Sequence, residues 1–326
     1  MNDSEQYSSV SEHTNLPIVA QFAVLALILG GIFGMLYFHN ITTGADKSAL
    51  SDEQHITESD VVHTVTAQKL EDVSITADAA FVFDVREQRV LFAKNETRAL
   101  PLASITKLMT ALLAHELVEG DTEANISDAA ISQDGDNGLT AGERFTVNEL
   151  ERLALITSSN DAAFALGASV GELLGEGNPH EQFVEAMNIR AEELELETLS
   201  FKNTTGLDIS TTEAGALGSA KDVTFLMEHI IEKYPEIIES TRLGYARVYS
   251  EDGEYHDIEN TNDYVSEIPN LIGSKTGYTD LAGGNLVVAF DIGLNRPIIV
   301  TVLGSTRAAR FTDVMELVDA VQANVR

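Results

Sequence analysis

Strand-forming runs stand on both sides of a long helical stretch, and this order limits the possible folds more than any other feature of the sequence. The runs AAFVFDV and RVLFAK predict a β-hairpin over residues 79–94. Apolar spacing and start signals predict helices over residues 104–118, 147–157, 160–174, 180–195 and 220–233. Further strands are predicted at ARVYS, EYHDIE, LIGSKTG, GNLVVAF and PIIVTVLG, with a last helix from about residue 312. The pattern predicts an α+β fold, in which an antiparallel sheet takes its first strands from the amino-terminal side, is flanked by helices and has a helical region inserted.

The composition supports a packed core and excludes several kinds of function. The chain has 326 residues, of which 44% are hydrophobic, enough for a large core. Acidic residues outnumber basic ones by 52 to 20, and no Lys- or Arg-rich run occurs, so no nucleic-acid partner is expected. The absence of cysteine excludes disulfides, thiolate catalysis and cysteine-bound zinc.

An uncharged apolar segment of 23 residues occupies residues 16–38. At ~1.5 Å per residue, a helix of this length crosses the roughly 30 Å hydrocarbon core of a membrane. A cleaved signal peptide is the alternative, but its apolar region is usually shorter and follows basic residues, whereas the first Lys or Arg here is Lys47. We therefore expect a cytoplasmic tail at 1–15, a transmembrane anchor at 16–38, a linker at 39–70 and a globular domain at 71–326.

The predicted helix that follows Pro101 carries a serine and a lysine three residues apart. Ser104 and Lys107 share a face of this helix, on which the next positions are small. The side chains expected to face the core are those of Ile105, Leu108, Met109, Leu112, Leu113 and Leu117. A lysine buried in such a helix loses hydration, which lowers its pKa and makes the neutral amine a base for the serine hydroxyl. The alternative is a helix-terminal serine with a lysine whose amine reaches solvent.

Two further segments carry polar side chains that could join this pair. The segment SSND, with Ser158 and Asn160, lies between two apolar helices, where it either caps the second helix or brings a hydroxyl and an amide into a cleft. The segment GSKTGYT has Lys275 on a predicted strand, and the alternative there is an edge strand with a solvated charge. Gly277 would let a ligand backbone approach closely along that strand.

The segments SITK, SSN and KTG lie on a helix, an inter-helix turn and a strand, and in this order they resemble the three motifs of the penicillin-interacting serine enzymes. The flanking sequence is similar to the serine-type D-Ala-D-Ala carboxypeptidases, which are low-molecular-mass penicillin-binding proteins with a β-lactamase/transpeptidase-like fold. Each motif alone is weak evidence, but the joint match over roughly residues 75–320 is specific. The matching segments are VLFAKNETRALPLASITKLMTALL, TAGERFTVNELERLALITSSNDAAFALG, FVEAMNIRAEELELETLSFKNTTGLD and PNLIGSKTGYTDLAGGNLV.

The resemblance implies a catalytic role for five side chains. Ser104 would be the acylated nucleophile and Lys107 its base. Ser158 would relay a proton toward the leaving amine, and Asn160 would hold Lys107 and the substrate amide. Lys275 would supply positive potential.

The resemblance also implies a set of substrate-binding groups. Thr276 would hydrogen-bond the terminal carboxylate of the substrate, and Gly277 belongs to the same strand motif. The backbone N–H groups of Ser104 and Tyr278 would form the oxyanion hole. Arg310, in GSTRAARF, falls near the arginine with which the family binds the substrate carboxylate.

The implied function is removal of the terminal D-alanine from peptidoglycan stem pentapeptides through a Ser104 acyl-enzyme, without a metal or organic cofactor. β-Lactams would acylate the same serine. Many relatives carry a carboxy-terminal β-rich domain and a terminal amphipathic helix, whereas this chain stops at Arg326, so the segment 16–38 is expected to serve as the membrane anchor. The domain at 71–326 would then be the catalytic domain and would lie outside the cytoplasm, where peptidoglycan is.

Several other functions remain as alternatives or are excluded. The enzymatic alternatives are a D,D-endopeptidase and a class A-like β-lactamase, although the glutamate motif Glu-x-x-Leu-Asn of the latter is approached only by EAMN at 185–188, with the wrong spacing. The non-enzymatic alternative is a wall-binding module. His115 lies 11 residues beyond Ser104 on the same predicted helix, about 16 Å away, so a Ser-His-Asp triad is excluded. The segment DGDNGLTAGE lacks the ligand spacing of a calcium loop.

Overall fold

The computed structural model describes residue 70, residues 73–135 and residues 138–325. These residues belong to one compact unit, Val65–Arg326. The predicted tail at 1–15, the anchor at 16–38 and all but the last residue of the linker at 39–70 lie outside the described residues. Within the part of the chain that is described, no helix is both long enough and apolar enough to span a membrane.

In the described residues, the strands form one large antiparallel sheet and three small ones. They are β1 (Ala79–Asp84), β2 (Arg89–Lys94), β3 (Leu100–Pro101), β4 (Glu123–Asn125), β5 (Arg144–Thr146), β6 (Ser200–Phe201), β7 (Ala216–Gly218), β8 (Tyr245–Tyr249), β9 (Tyr255–Glu259), β10 (Leu271–Thr279), β11 (Gly283–Asp291) and β12 (Pro297–Ser305). The large sheet has five strands in the order β10-β11-β12-β1-β2. The predicted hairpin and the predicted antiparallel pairing of the first strands with the last ones are thus confirmed, since β1 pairs with β12 from Ala79 opposite Leu303 to Asp84 opposite Ile298.

The helices lie mostly between β3 and β8, as the sequence predicts. They are α1 (Lys107–Leu117), α2 (Asp128–Ile131), α3 (Val147–Arg152), α4 (Asn160–Gly171), α5 (Pro179–Glu193), α6 (Ala220–Lys233), α7 (Pro235–Glu239) and α8 (Ala309–Asn324). A 3₁₀ turn at Ala103–Thr106 precedes α1, a π-helical turn at Leu153–Thr157 follows α3, and a 3₁₀ turn at Ser240–Arg242 follows α7.

Alternate residues of the large sheet face two separate cores, because successive side chains of a strand point to opposite faces. On one face, Phe81 and Phe83 of β1 pack with the helical region that includes α1 and α6. On the other face, Val82 of β1 packs with Phe311 and Leu317 of α8. Both faces are therefore covered, and all six residues of β1 are buried.

Four details of the predicted helices differ from the structure. The helix predicted from residue 104 begins with the 3₁₀ turn, and the one predicted over 147–157 ends in the π-helical turn. The last helix begins at Ala309 rather than about residue 312. The prediction that Leu117 faces the core is wrong, since its exposed fraction is 42%. Leu117 is the last residue of α1, where the helix runs past the core.

Candidate active site

The segment before Ser104 is held against the large sheet by one asparagine. Asn285 of β11 donates from Nδ2 to the carbonyl oxygens of Pro101 at 2.9 Å and of Leu102 at 3.0 Å, and its Oδ1 accepts from the backbone N–H of Gly304 at 2.8 Å. Ala103 follows with a φ of 49°, a left-handed conformation that is uncommon for a residue with a side chain. The chain thereby turns sharply into α1, and the half-buried Ser104 lies in this turn.

Lys107 is fully buried at the start of α1, as the apolar helix predicts. Its Nζ lies 2.8 Å from Ser104 Oγ, 2.7 Å from Asn160 Oδ1 and 2.8 Å from the carbonyl oxygen of Thr205. The alternative of an amine that reaches solvent is therefore wrong. Loss of hydration on burial lowers the pKa of Lys107 to about 7, so a large share of the amine is neutral near neutral pH.

The partners of Lys107 also fix the direction of its lone pair. The Thr205 carbonyl oxygen can only accept, and so can Asn160 Oδ1, because Nδ2 of the same amide is turned toward the carbonyl oxygen of Asp134 at 2.6 Å. These two acceptors take both hydrogens of a neutral amine. The lone pair then points to the third neighbour, Ser104 Oγ, whose hydroxyl can donate to it.

Ser158 and Asn160 stand at a break between two helices. The π-helical turn at Leu153–Thr157 leads into Ser158, whose φ is 64°. Ser159 caps α4 by accepting from the N–H of Ala162 at 3.0 Å. Capping thus belongs to Ser159, which leaves the side chains of Ser158 and Asn160 to face the cleft. A π-helical turn and a left-handed residue are both strained features of the kind that cluster at functional sites.

Lys275 lies on β10 and forms the second lysine–serine pair. Its exposed fraction is 1%, and its Nζ donates to Ser158 Oγ at 2.9 Å and to the Thr276 carbonyl oxygen at 2.9 Å. β10 is an edge strand, but the alternative of a solvated edge charge is wrong. Burial, then the positive charges of Lys107 and Arg310, hold the pKa of Lys275 well below its usual value.

Strand β10 passes very close to Ser104. A Cβ on Gly277 would lie 2.8 Å from the Leu102 carbonyl oxygen and 3.2 Å from Ser104 N, so only glycine allows this approach. The backbone of β10 therefore runs beside the N–H of Ser104. On the same strand, Oγ1 of Thr276 lies 2.6 Å from Oγ1 of Thr261.

Two arginines follow β12 and approach the outer end of β10. Arg310 is buried, and its Nη1 donates to the carbonyl oxygen of Gly277 at 2.8 Å. Arg307 is exposed, with its guanidinium carbon 5.1 Å from the ring centre of Tyr278. Arg310 thus lies in direct contact with the strand motif.

Several other residues considered in the sequence lie outside this cleft. His115 Nε2 is 3.1 Å from Glu236 Oε1, at the far end of α1. Glu185 is exposed on α5, and Asn188 binds the backbone of Phe201. Among the described residues, no group of three or more His, Asp or Glu is arranged to bind a metal ion.

Three groups that hold the site could not be found from the sequence. They are the backbone carbonyl oxygens of Thr205 and Asp134 and the side chain of Asn285. Thr205 belongs to the segment NTTG, in which Gly206 has a φ of 80° and a Cβ would lie 1.9 Å from the Ala103 carbonyl oxygen. The segment NTTG is part of the sequence that resembles the carboxypeptidases, and its glycine was the one signal in the sequence that the backbone turns sharply here.

The arrangement is suited to acyl transfer. The Ser104 hydroxyl faces a lysine amine, a second hydroxyl is paired with a second lysine, and the backbone of β10 runs beside the N–H of Ser104. These are the components needed for nucleophilic attack, proton relay and oxyanion stabilisation.

The chain is similar to known proteins of one family. The model of the D-alanyl-D-alanine carboxypeptidase family matches residues 63–307. D-alanyl-D-alanine carboxypeptidase DacF of Bacillus subtilis (strain 168) is 32% identical over 249 residues, which are 74% of this chain and 61% of the relative. The chain thus spans about three fifths of that relative's length. D-alanyl-D-alanine endopeptidase of Escherichia coli (strain K12) is 26% identical over 74% of this chain and 76% of the relative.

A solved structure is also similar. Penicillin-binding protein D2 of Listeria monocytogenes, in its ampicillin-bound form, superimposes with a TM-score of 0.63 at 28% identity. The match covers 76% of this chain and 98% of that one. The fold is therefore of the β-lactamase/transpeptidase-like kind.

Proposed function

Because this chain belongs to the D-alanyl-D-alanine carboxypeptidase family, we propose that it removes the terminal D-alanine from peptidoglycan stem pentapeptides. The observation that carries the proposal is the contact of Ser104 Oγ with the buried Lys107 Nζ at 2.8 Å. The chemistry open to such a pair is acyl transfer, in which the serine is acylated and the acyl group is then released by water.

In the acylation step, Ser104 Oγ attacks the carbonyl carbon of the last peptide bond while its proton passes to Lys107 Nζ. The backbone N–H groups of Ser104 and Tyr278 stabilise the negative oxygen that forms. The close passage of Gly277 beside Ser104 N supports this assignment.

Collapse of the tetrahedral intermediate breaks the C–N bond, and the leaving amine needs a proton. Ser158 Oγ donates it and is replenished from Lys107, whose proton came from Ser104. Lys275, 2.9 Å from Ser158 Oγ, lowers the energy of the negative charge that develops on that hydroxyl. D-Alanine departs, and a water molecule attacks the Ser104 ester while Lys107 accepts its proton. The bond between the acyl carbon and Ser104 Oγ then breaks, and Lys107 returns the proton to Oγ, which releases the shortened peptide and restores the free serine.

Substrate recognition depends on groups along β10. Thr276 Oγ1 binds the terminal carboxylate, and Arg310 contributes positive potential from behind Gly277. Asn160 holds Lys107 and binds the substrate amide. β-Lactams combine a carboxylate with a strained amide, so they acylate Ser104 in the place of the peptide.

Of the two other enzymatic functions, the structure favours D,D-endopeptidase activity over β-lactamase activity. D,D-endopeptidase activity is a second candidate, because a cavity of about 610 Å³ lies beside Thr261, the neighbour of Thr276, and has room for a leaving group larger than D-alanine. A class A-like β-lactamase is disfavoured, since Glu185 is exposed and Asn188 is bound to Phe201.

We also propose that residues 16–38 anchor the chain in the cell membrane, with the catalytic domain outside the cytoplasm. The support is the uncharged 23-residue length of this segment. The full chain should float with lipid vesicles in a density gradient, whereas a chain carrying Leu25→Asp and Leu27→Asp should not. Equal flotation of both chains would contradict the anchor.

The acyl-enzyme is tested with benzylpenicillin and the full chain. Intact mass should rise by the whole mass of the antibiotic, and peptide mapping should place the adduct on Ser104. Ser104→Ala should show no adduct, while Ser132→Ala, an exposed serine of similar chemistry, should be acylated like the wild type. An adduct on Ser158, or none on a folded wild-type chain, would contradict the assignment.

A further inference from the structure

Most arginines in the described part of the chain are paired with a carboxylate, as expected where acidic residues outnumber basic ones by 52 to 20. The paired ones are Arg89, Arg98, Arg144, Arg152, Arg190, Arg242, Arg247 and Arg296. Among the described residues only Arg86, Arg307 and Arg310 have no carboxylate at ion-pair distance. Two of these three lie together at the outer end of β10.

Both of these arginines line a cavity of about 610 Å³. Thr261, Asp263, Arg307 and Arg310 line it. Its apolar wall is the stacked pair of Tyr264 and Phe311, whose ring centres are 5.2 Å apart with an interplanar angle of 7°. Because Thr261 Oγ1 is 2.6 Å from Thr276 Oγ1, the cavity begins beside the residue that binds the substrate carboxylate.

The two arginines differ in what they can still bind. Arg310 is buried and uses Nη1 on the Gly277 carbonyl oxygen, while its buried Nε has no hydrogen-bond partner among the described residues. Arg307 is exposed and is steadied by the ring of Tyr278. Burial, and then the charge of Arg307, lower the pKa of Arg310, whereas the charge of Asp263 on the same cavity offsets part of this shift. An anion in the cavity would relieve this repulsion.

The chemistry of the leaving group identifies that anion. On the proposed function, the leaving group is the amine of a D-amino acid whose α-carboxylate binds at Thr276. Because Thr276 adjoins Thr261, which lines the cavity, this residue lies at the edge of the cavity. The methyl group of D-alanine is small beside a cavity of about 610 Å³. A longer side chain that ends in a carboxylate offers Arg307 a partner for a charge-assisted hydrogen bond.

We propose that Arg307, held against Tyr278, forms a subsite for a second carboxylate on the leaving group. The substrate class is then a D-Ala-D-amino acid bond in which the departing residue carries an additional free acidic group on its side chain. Asp263, on the same cavity, opposes this anion and limits the preference. This inference rests on the proposed acyl transfer at Ser104 and adds the selectivity of its leaving-group side.

The test uses the full chain and three peptides with the same acyl part, ending in D-Ala-D-Ala, D-Ala-D-Gln and D-Ala-D-Glu. The readout is kcat/KM from the released amino acid at low salt. D-Glu and D-Gln differ by one charge at nearly equal size. The ratio of kcat/KM for the D-Glu peptide to kcat/KM for the D-Gln peptide therefore reports the effect of that charge, because the catalytic steps are the same for both peptides. We expect the D-Glu peptide to be favoured about fivefold, the upper range for a partly exposed ion pair.

Variants then assign the preference to the cavity. Arg307→Gln should bring the ratio to about one, Arg307→Lys should restore part of it, and Asp263→Asn should raise it. Arg86→Gln is the matched control, because Arg86 also lacks a carboxylate partner in the described part but lies at another surface, where it binds the Leu294 carbonyl oxygen. This control should keep the wild-type ratio.

The outcomes separate the subsite from the proposed function. If the wild type releases D-alanine from the first peptide but the D-Glu to D-Gln ratio is one or lower, the subsite is wrong and the proposed function stands. The same holds if Arg307→Gln leaves a high ratio unchanged. Release from none of the three peptides by a folded chain would overturn the proposed function, and the subsite with it.

Discussion

Replacing Asn160 by aspartate should keep Lys107, the proposed base of the reaction, protonated and therefore inactive as a base at neutral pH. Asn160 Oδ1 accepts from Lys107 Nζ at 2.7 Å, so Asn160→Asp puts a negative charge at nearly the same distance. An adjacent carboxylate favours the ammonium form of the lysine. Lys107, whose pKa burial lowers to about 7, would then be charged and unable to accept the Ser104 proton at neutral pH.

The size of the effect follows from the distance. At 2.7 Å and an effective dielectric constant of about 20, the attraction of two unit charges is about 6 kcal/mol. Lost hydration of the new carboxylate offsets much of it, and shifts beside an opposite charge are about one to three pH units. A shift of about two units corresponds to about 2.7 kcal/mol. The neutral fraction of Lys107 at pH 7 then falls from about one half to about 1%, a roughly 50-fold loss.

The assay is the rate constant for acylation by a fluorescent penicillin between pH 5.5 and 9.5. In the wild type, the rate should rise with pH through about 7, because the neutral amine forms as pH passes the pKa of Lys107. In Asn160→Asp the rise should move up by about two pH units, and the rate should recover at high pH. Recovery distinguishes the charge effect from damage to the fold, which would lower the rate at every pH.

A matched control makes the same chemical change elsewhere. Like Asn160, Asn188 donates from Nδ2 to backbone carbonyl oxygens, in this case those of Val184 and Phe201. It lies on α5, away from Lys107. Asn188→Asp should leave the pH midpoint unchanged. A wild-type midpoint near the ordinary lysine value, or an unshifted midpoint in Asn160→Asp, would refute the reasoning.

Three further predictions concern the packing around the nucleophile. Gly277→Ala places a Cβ 2.8 Å from the Leu102 carbonyl oxygen, so β10 must move and β-lactam acylation should fall at least tenfold in stopped-flow measurements; an unchanged rate would contradict the need for close approach. Gly206→Ala meets the Ala103 carbonyl at 1.9 Å with a φ of 80°, and urea unfolding should show a loss of about 3 kcal/mol or more, whereas a loss below about 1 kcal/mol would contradict the contact. Asn285→Ala removes the side-chain hydrogen bonds to the carbonyl oxygens of Pro101 and Leu102, of which Leu102 keeps only the N–H of Ile105, so the free energy of unfolding should fall by about 2 kcal/mol and acylation should slow; an effect on neither would show that this anchor is dispensable.

The sequence predicted the main sheet and the burial of Lys107 because both follow from apolar patterning. Strand runs at the two ends of the domain require a sheet that brings them together, and β1 pairs with β12 accordingly. The apolar residues around Lys107 leave its amine no route to water, and its exposed fraction is 0%. Leu117 shows the limit of the same reasoning, since the spacing of apolar residues does not reveal where the core ends.

Other features of the site could not be predicted because they depend on backbone geometry. The carbonyl oxygens that hold Lys107 and Asn160 belong to Thr205 and Asp134, and a backbone acceptor carries no residue signature. The left-handed φ of Ser158 is set by the preceding π-helical turn and the capping by Ser159. These features decide which way the Lys107 lone pair points, and only the three-dimensional arrangement reveals them.

The most direct test of the proposed function is D-alanine release by the full-length chain from a peptide that ends in D-Ala-D-Ala, measured beside Ser104→Ala. The wild type should release one D-alanine per peptide, and the variant should release none while melting at a similar temperature, because Ser104 supplies the bond to the acyl group and contributes little to the core. Absence of release from a folded wild-type chain, or equal release by Ser104→Ala, would contradict a serine carboxypeptidase.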